Sequence, residues 1–319
     1  MKSTPMKLFN DCYGKYGIAA INVFTMEQVL GVFKAASIGK SPVILQTTPV
    51  ARDYSNPLLM KGMISAAEKV FPDVVFAVHL DHGNETHINA ALKEEMYNSV
   101  MIDASHEDFD QNVSRTKKIV ESAHSQDVFV EAELGILSGV EDNLVVEQHH
   151  AKYTDPEAAE KFVCETNCDS LAIAVGTSHG AYKFSGDQGI NFSILEQIQK
   201  RLPGFPLVLH GGSSVSQVEI QRINNAGGNL KENARGVSSD ELKKSISLGV
   251  CKVNIATDLR VLWTRVHREF FVENPEQFDP ILPGKLYQDE LIKFCLQKFE
   301  LLGSLGKARS INSYQSKEN

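Results

Sequence analysis

Eight short runs of apolar and β-branched residues punctuate the chain: GIAAINV, SPVILQ, VVFAVHL, SVMIDAS, VFVEAELG, SLAIAVG, FPLVLHGG and GVCKVNI. Their near-continuous apolar character is what parallel strands covered on both faces require, whereas a sheet with one wet face alternates strictly. Between them lie amphipathic stretches at 26–38, 56–70, 85–96, 112–125, 156–165 and 190–201, each long enough for two or more helical turns. A polar cap ahead of a first-turn proline, as in Thr154-Asp155-Pro156-Glu157, marks a helix start. Strand and helix alternate throughout, which predicts an α/β chain closed as a (β/α)8 TIM barrel. In that fold all eight strands finish on one face, where the site is built.

The longest intervals without such a pattern, 135–153 and 213–240, follow the fifth and seventh strand candidates and read as binding loops or lids. After the eighth, FFVENPEQFDPILPGK carries three prolines and breaks the rhythm before a last helix near 287–302. This predicts a C-terminal helical extension placed to meet a partner subunit. Trp263 falls on an amphipathic stretch and is expected in the core. The expectation is one domain over residues 1–319, with a core at 5–305 and a polar, aperiodic tail at 306–319.

Composition narrows the function classes. A formal charge of −8 with no cluster of Lys and Arg argues against a nucleic-acid partner. The five cysteines are odd in number and widely spread, so reduced thiols are expected rather than a disulfide framework. The N-terminal stretch lacks an apolar signal core, and no run approaches the roughly 20 apolar residues that span a bilayer. A soluble, cytoplasmic protein without a membrane partner is the expectation.

The chemistry sits at the strand ends. His82, His179 and His210 each close an apolar run, in AVHLDHG, AVGTSHGAYK and LVLHGGSS. Three imidazoles around a divalent cation leave a fourth position open, the pattern of a catalytic zinc rather than a structural one. Asp81 precedes His82, where a carboxylate can exchange a proton with substrate beside a Lewis acid. His79 shares the face of Asp81 by the period of two and is read as a brace. Asp103 and Glu133, with Glu131 on the same face, are costly to bury unless paired or metal-bound. They serve as a second metal position, as partners that orient the histidines, or as members of structural salt bridges. The Gly- and Ser-rich segments GTSHGAYK and HGGSS, with NIATDLR, form a phosphate nest at the last three strands, to which Lys183 and Ser213 add charge and a hydroxyl.

Taken in order, HLDHG, SVMIDAS, EAELG, GTSHGAYK, HGGSS and KVNIATDLR resemble the class II, metal-dependent ketose-bisphosphate aldolases, relatives of fructose-1,6-bisphosphate aldolase. The resemblance runs from INVFTMEQ to LPGK. It implies a homodimeric TIM barrel of glycolysis and gluconeogenesis that reversibly cleaves a ketose bisphosphate into dihydroxyacetone phosphate and an aldehyde. For fructose 1,6-bisphosphate the aldehyde is glyceraldehyde 3-phosphate. It makes His82, His179 and His210 ligands of Zn2+, Asp81 the group that exchanges the C4 hydroxyl proton, and Asp103 and Glu133 an alternative metal location. A second divalent ion or a monovalent cation belongs to the same picture. Glu141 matches the mobile acid acting at C3, with Asp142 its rival, and Asn254 matches a residue that stabilises the enediolate. Asn22, Thr48, Gly180, Lys183, Gly211, Ser213 and Thr257 match substrate and first-phosphate positions. Arg260 and Lys285 match bases for the second phosphate, Lys285 reaching across from the neighbouring subunit.

Two departures bear on substrate. Ala256 stands where fructose-specific members carry aspartate and is more typical of tagatose-bisphosphate aldolases, and Thr48 replaces a serine. Fructose bisphosphate is the leading substrate, with tagatose bisphosphate as the alternative. A non-catalytic sugar-phosphate-binding subunit and a barrel metallohydrolase are the readings from other classes. The intact set of Asp81, His82, His179 and His210 weighs against the first, and the phosphate nest against the second.

Overall fold

The computed structural model describes residues 1–141, 144–146, 152–179, 189–231, 236–309 and 311, with side chains left undescribed at 138–141, 144–146 and 179. In chain order the elements begin with α1 (Pro5–Cys12), β1 (Ile18–Asn22), α2 (Met26–Gly39), β2 (Val43–Thr47), α3 (Pro49–Ser55), α4 (Pro57–Val70) and β3 (Phe76–Gly83). They continue through α5 (Glu85–Lys93), β4 (Ser99–Ile102), α6 (Phe109–His124), β5 (Phe129–Leu134), β6 (Ser138–Glu141), β7 (Leu144–Val146) and α7 (Pro156–Thr166). The remainder are β8 (Ser170–Ile173), β9 (Ser178–His179), α8 (Phe192–Arg201), β10 (Leu207–Leu209), α9 (Gln217–Asn225), α10 (Ser239–Ser247), β11 (Val250–Ile255), α11 (Thr257–Glu273) and α12 (Ile281–Leu301).

Strands β1, β2, β3, β4, β5, β8, β10 and β11 close into a barrel in that order, every pair parallel. These are the eight apolar runs read from the sequence, so the TIM-barrel expectation holds. The outward positions, among them Ile21, Leu45, Val78, Val100, Val130 and Leu209, join the helices in one large core. The inward positions divide by height. At the amino-terminal end Ile18, Ala20, Ile44, Ala77 and Phe129 form a second apolar cluster, plugged by Leu8, Phe9 and Cys12 of α1. Toward the carboxyl ends the inward residues turn polar and stay buried: Asn22, Gln46, His79, Asp81, Glu131, Lys252 and Asn254. Burying so many polar groups is tolerable only if they pair with one another, and the site below is that pairing.

Five features depart from the sequence reading. The interval 213–240 contains α9, whose Ile220 and Ile223 bury a short apolar face. A small sheet of β7, β6 and β9 lies outside the barrel and takes in part of the fifth-strand loop. The last helix starts at Ile281, not near 287, because Pro283 lies in its first turn, where a missing N–H costs nothing. Trp263 is 46% exposed, stacking on His267 one turn along α11 instead of entering the core. At the other end Ala308 and Ile311 are buried against the lower cluster.

Candidate active site

Two histidines define the centre. His82 ends the polar stretch of β3 at a register shift in the ladder with β4, and its φ of 51° is left-handed, unusual for a side chain other than glycine. Such a conformation costs on the order of 1–3 kcal/mol and persists where surrounding contacts over-determine it. His210 follows β10 directly and is fully buried. His82 Nε2 and His210 Nδ1 face each other at 2.9 Å, while the far nitrogen of each ring meets a carboxylate. His82 Nδ1 lies 2.8 Å from Asp103 Oδ2, and His210 Nε2 lies 2.9 Å from Glu131 Oε1. A carboxylate accepts the ring N–H, so each outer nitrogen holds the proton and each inner nitrogen presents a lone pair. Two opposed lone pairs repel unless a cation sits near both. Asp81 Oδ1 is 3.9 Å from His82 Nε2, and Asp81, His82 and His210 offer ligand atoms within 4.8 Å of one another. The donor set therefore fits a divalent metal.

Electrostatics favour the same state. Burial pushes His210 below the ordinary histidine value and outweighs Glu131, so the ring is neutral and ready to ligate. Burial raises Asp103, but the His82 ring and the Ser105 hydroxyl and N–H outweigh it and hold the carboxyl well below its usual range. Glu131 behaves alike: full burial pushes it up, and the Lys252 ammonium, with the hydrogen bond from His210, brings it well down. Lys252 Nζ sits 2.9 Å from Glu131 Oε2 and is itself buried. His79 is held by Ser99 Oγ at 2.7 Å, with its other nitrogen 3.6 Å from Glu131, which makes it a brace and not part of the close ligand groups.

Asp81 is gripped from three strands. Asn22 Nδ2 (2.9 Å) and Gln46 Nε2 (3.1 Å) donate to Oδ2, and Asn254 Nδ2 (3.2 Å) donates to Oδ1. Gln46 also donates to Asn22 Oδ1 at 2.7 Å, so the carboxylate cannot rotate without breaking a connected network. A second group of possible ligands, His82, Asp103 and Glu133, lies beside the first.

His179 belongs to β9 in the small sheet, so it is not at the end of a barrel strand as its apolar run suggested. Its backbone is nonetheless brought to the centre: a Cβ built on Gly211 would meet the Ser178 carbonyl oxygen at 2.5 Å. Gly211 also has a φ of 66°, so two separate reasons require glycine beside His210. The His179 ring and the Glu141 side chain lie outside the described residues, as do Asp142, Gly180 and Lys183 altogether.

Of the anion-binding candidates, Gly211, Ser213 and Thr257 lie at the tops of β10 and β11. Ser213 is buried next to the first turn of α11, which Thr257 opens. Ala256 caps that helix without a side-chain acceptor of its own, while the Asp258 N–H is directed at Ser213 Oγ, so Ser213 and the helix start form one polar cluster. Thr48 caps α3, accepting the Ala51 N–H at 3.2 Å, which a serine would do equally. Arg260 is exposed one turn into α11. Lys285 is exposed near the start of α12, and that end is tied to the carboxyl-terminal mouth by Gln28 Nε2, 3.3 Å from the Tyr287 hydroxyl. Within the described residues, no contact joins Lys285 to the histidine centre.

Sequence reading overlooked Gln46, Lys252, Asp258 and Lys298. Gln46 and Lys252 had a signal, since each is a polar residue inside an otherwise apolar strand.

The family model for class-II fructose-bisphosphate aldolase matches residues 4–307. The chain is 43% identical over 296 residues to a fructose-bisphosphate aldolase of Thermus caldophilus, covering 92% of this chain and 95% of that one. It is 42% identical over 299 residues to a fructose-bisphosphate aldolase of Giardia intestinalis, covering 92% of this chain and 90% of that one. Among solved structures it is similar to the YdjI aldolase from Escherichia coli K12, with a TM-score of 0.76 at 30% identity, covering 97% of this chain and all of that one. With a closed parallel barrel, paired histidines at its carboxyl-terminal mouth and a match over nearly the whole length, the chain belongs to the class-II fructose-bisphosphate aldolase family.

Proposed function

We propose that the protein reversibly cleaves fructose 1,6-bisphosphate to dihydroxyacetone phosphate and glyceraldehyde 3-phosphate, using zinc held by His82, His179 and His210. The observation that carries this reading is the facing pair of ring nitrogens, 2.9 Å apart, whose opposite nitrogens are occupied by Asp103 and Glu131. When bound, the metal polarises the substrate carbonyl and offsets the charge released as the C3–C4 bond breaks. Asp81 takes the C4 hydroxyl proton, and Asn22, Gln46 and Asn254 hold its oxygens in place for that transfer. Gly211, Ser213 and Thr257, with Gly180 and Lys183, hold the first phosphate at the start of α11. Thr48 contacts substrate at the mouth, and Arg260 and Lys285 take the second phosphate. Glu141 moves the proton at C3, with Asp142 as the alternative. Asp103 and Glu133 offer a second metal location beside His82.

Lys285 is exposed among the apolar side chains of Leu282 and Leu286, which supports a homodimer in which it enters the neighbouring site. No helix among the described residues is long and apolar enough to cross a membrane. The family resemblance implies a cytoplasmic enzyme of glycolysis and gluconeogenesis. Tagatose 1,6-bisphosphate is the second substrate reading, favoured by Ala256, which brings no carboxylate to the start of α11. The fructose reading has the names of the curated relatives behind it. Turnover of the two epimeric bisphosphates by metal-loaded protein decides: preference for the fructose epimer supports the reading, and preference for tagatose replaces it. Failure to cleave either removes the aldolase assignment.

A further inference from the structure

The loop after β10 is anchored from behind by groups that lie outside the proposed chemistry. Ser214 N and Val215 N donate to the two oxygens of Asp258, at 3.0 and 2.8 Å. Val215 has a left-handed φ of 44° at this turn. Gly236 N and Val237 N donate to the Ser214 and Ser213 carbonyls, completing the clamp. Asp258 is in the first turn of α11, its own N–H directed at Ser213 Oγ, so a full negative charge lies where a phosphate is expected. Among the described residues one cation meets that charge directly. Lys298 Nζ, from the last turn of α12, is 2.9 Å from Asp258 Oδ2 and 2.6 Å from Ser214 Oγ, and the residue is only 8% exposed. The other bases around the adjoining cavity of about 350 Å3 have carboxylates of their own: Arg265 and Lys293 bind Glu290, and Arg222 binds Glu269.

We propose that Lys298 and Asp258 are positioning residues for phosphate recognition: Asp258 fixes the turn of the Ser213–Val215 segment, and Lys298 fixes Asp258 and cancels its charge so that a phosphate dianion is accepted beside it. The pair thereby makes α12, an element outside the barrel, part of the substrate site. The inference rests on the proposed sugar-phosphate function.

Calorimetric binding of dihydroxyacetone phosphate and of inorganic phosphate tests it, in the metal-loaded full chain and in Lys298→Met, Lys298→Arg and Lys298→Met/Asp258→Asn. Lys298→Met is expected to weaken both ligands by about tenfold or more, with kcat reduced less than KM is raised and metal content unchanged. Lys298→Arg should retain most of the affinity. The double variant, in which the uncompensated charge is gone, should bind phosphate more tightly than Lys298→Met even if its melting temperature is no higher, which a purely structural role would not produce. Wild-type affinity in folded Lys298→Met overturns the inference. Should that variant fail to fold, a double variant that binds phosphate within a few-fold of wild type supports the charge argument, and one with no measurable phosphate binding overturns it. A wild-type protein that binds neither ligand overturns the proposed function and this inference with it.

Discussion

Replacing Lys252 by methionine keeps the length of the side chain and removes only its ammonium. The structure then leaves the Glu131 carboxylate in the barrel interior with no cation, facing His79 and His210, both of which burial pushes toward the neutral form. Breaking one side of a buried ion pair costs about 3–5 kcal/mol. At roughly 2–4 °C per kcal/mol for a large domain, the melting temperature of metal-free protein should fall by about 6–20 °C. Glu131 also sets the tautomer of His210 through a 2.9 Å hydrogen bond, so its displacement reaches the metal site. Loss of such an outer partner typically weakens metal binding by about 10–100-fold. Thermal melts by circular dichroism and competition against a chromophoric chelator measure the two effects separately. The double variant Lys252→Met/Glu131→Gln removes both charges and should regain most of the stability while still binding metal more weakly than wild type. Wild-type melting and metal affinity in Lys252→Met would refute the view that this buried pair supports His210.

Asp81→Asn should fold and retain metal, since Asn22, Gln46 and Asn254 still surround the position, yet lose about 10²–10⁴ in kcat; steady-state cleavage kinetics beside metal analysis check both halves. Ala256→Asp should raise the ratio of fructose- to tagatose-bisphosphate turnover, and an unchanged ratio removes that position from substrate choice. It should also stabilise α11 by about 1 kcal/mol through a new N-cap, visible in a thermal melt. Glu290 is held below its usual value of 4.5 first by Lys293, against a smaller effect of burial, and then by Arg265. A depressed carboxylate contributes stability that is present above about pH 4.5 and lost as pH falls through the folded value. Melting temperature should accordingly drop below that pH, with a shallower drop in Arg265→Met; parallel curves would contradict the assignment.

The barrel was legible because its outward positions are uniformly apolar, and eight runs separated by helix-length intervals leave few other folds. His82, His210, Asp81, Asp103 and Glu133 were legible because polar residues at the ends of such runs have no packing role. What escaped the sequence depends on contacts between distant segments. Lys252 is one lysine in an apolar strand, and only the closed barrel sets it against Glu131, 121 residues away. Lys298 looks like any surface lysine of an amphipathic helix until α12 is folded back onto the loop after β10. Trp263 was misplaced because helical periodicity locates a face without saying whether that face meets the core or the solvent. The small sheet was missed because β6, β7 and β9 span four, three and two residues, too short for a period of two to register.

The central claim is that imidazoles from separate strands meet at one catalytic cation. It is tested most directly by following metal content and fructose-bisphosphate cleavage together as a chelator is titrated into the purified protein and zinc is returned. The account predicts that one catalytic zinc per chain and all cleavage disappear in proportion, and that both return with zinc in wild type but not in His210→Ala. Full cleavage by protein stripped of metal would contradict it.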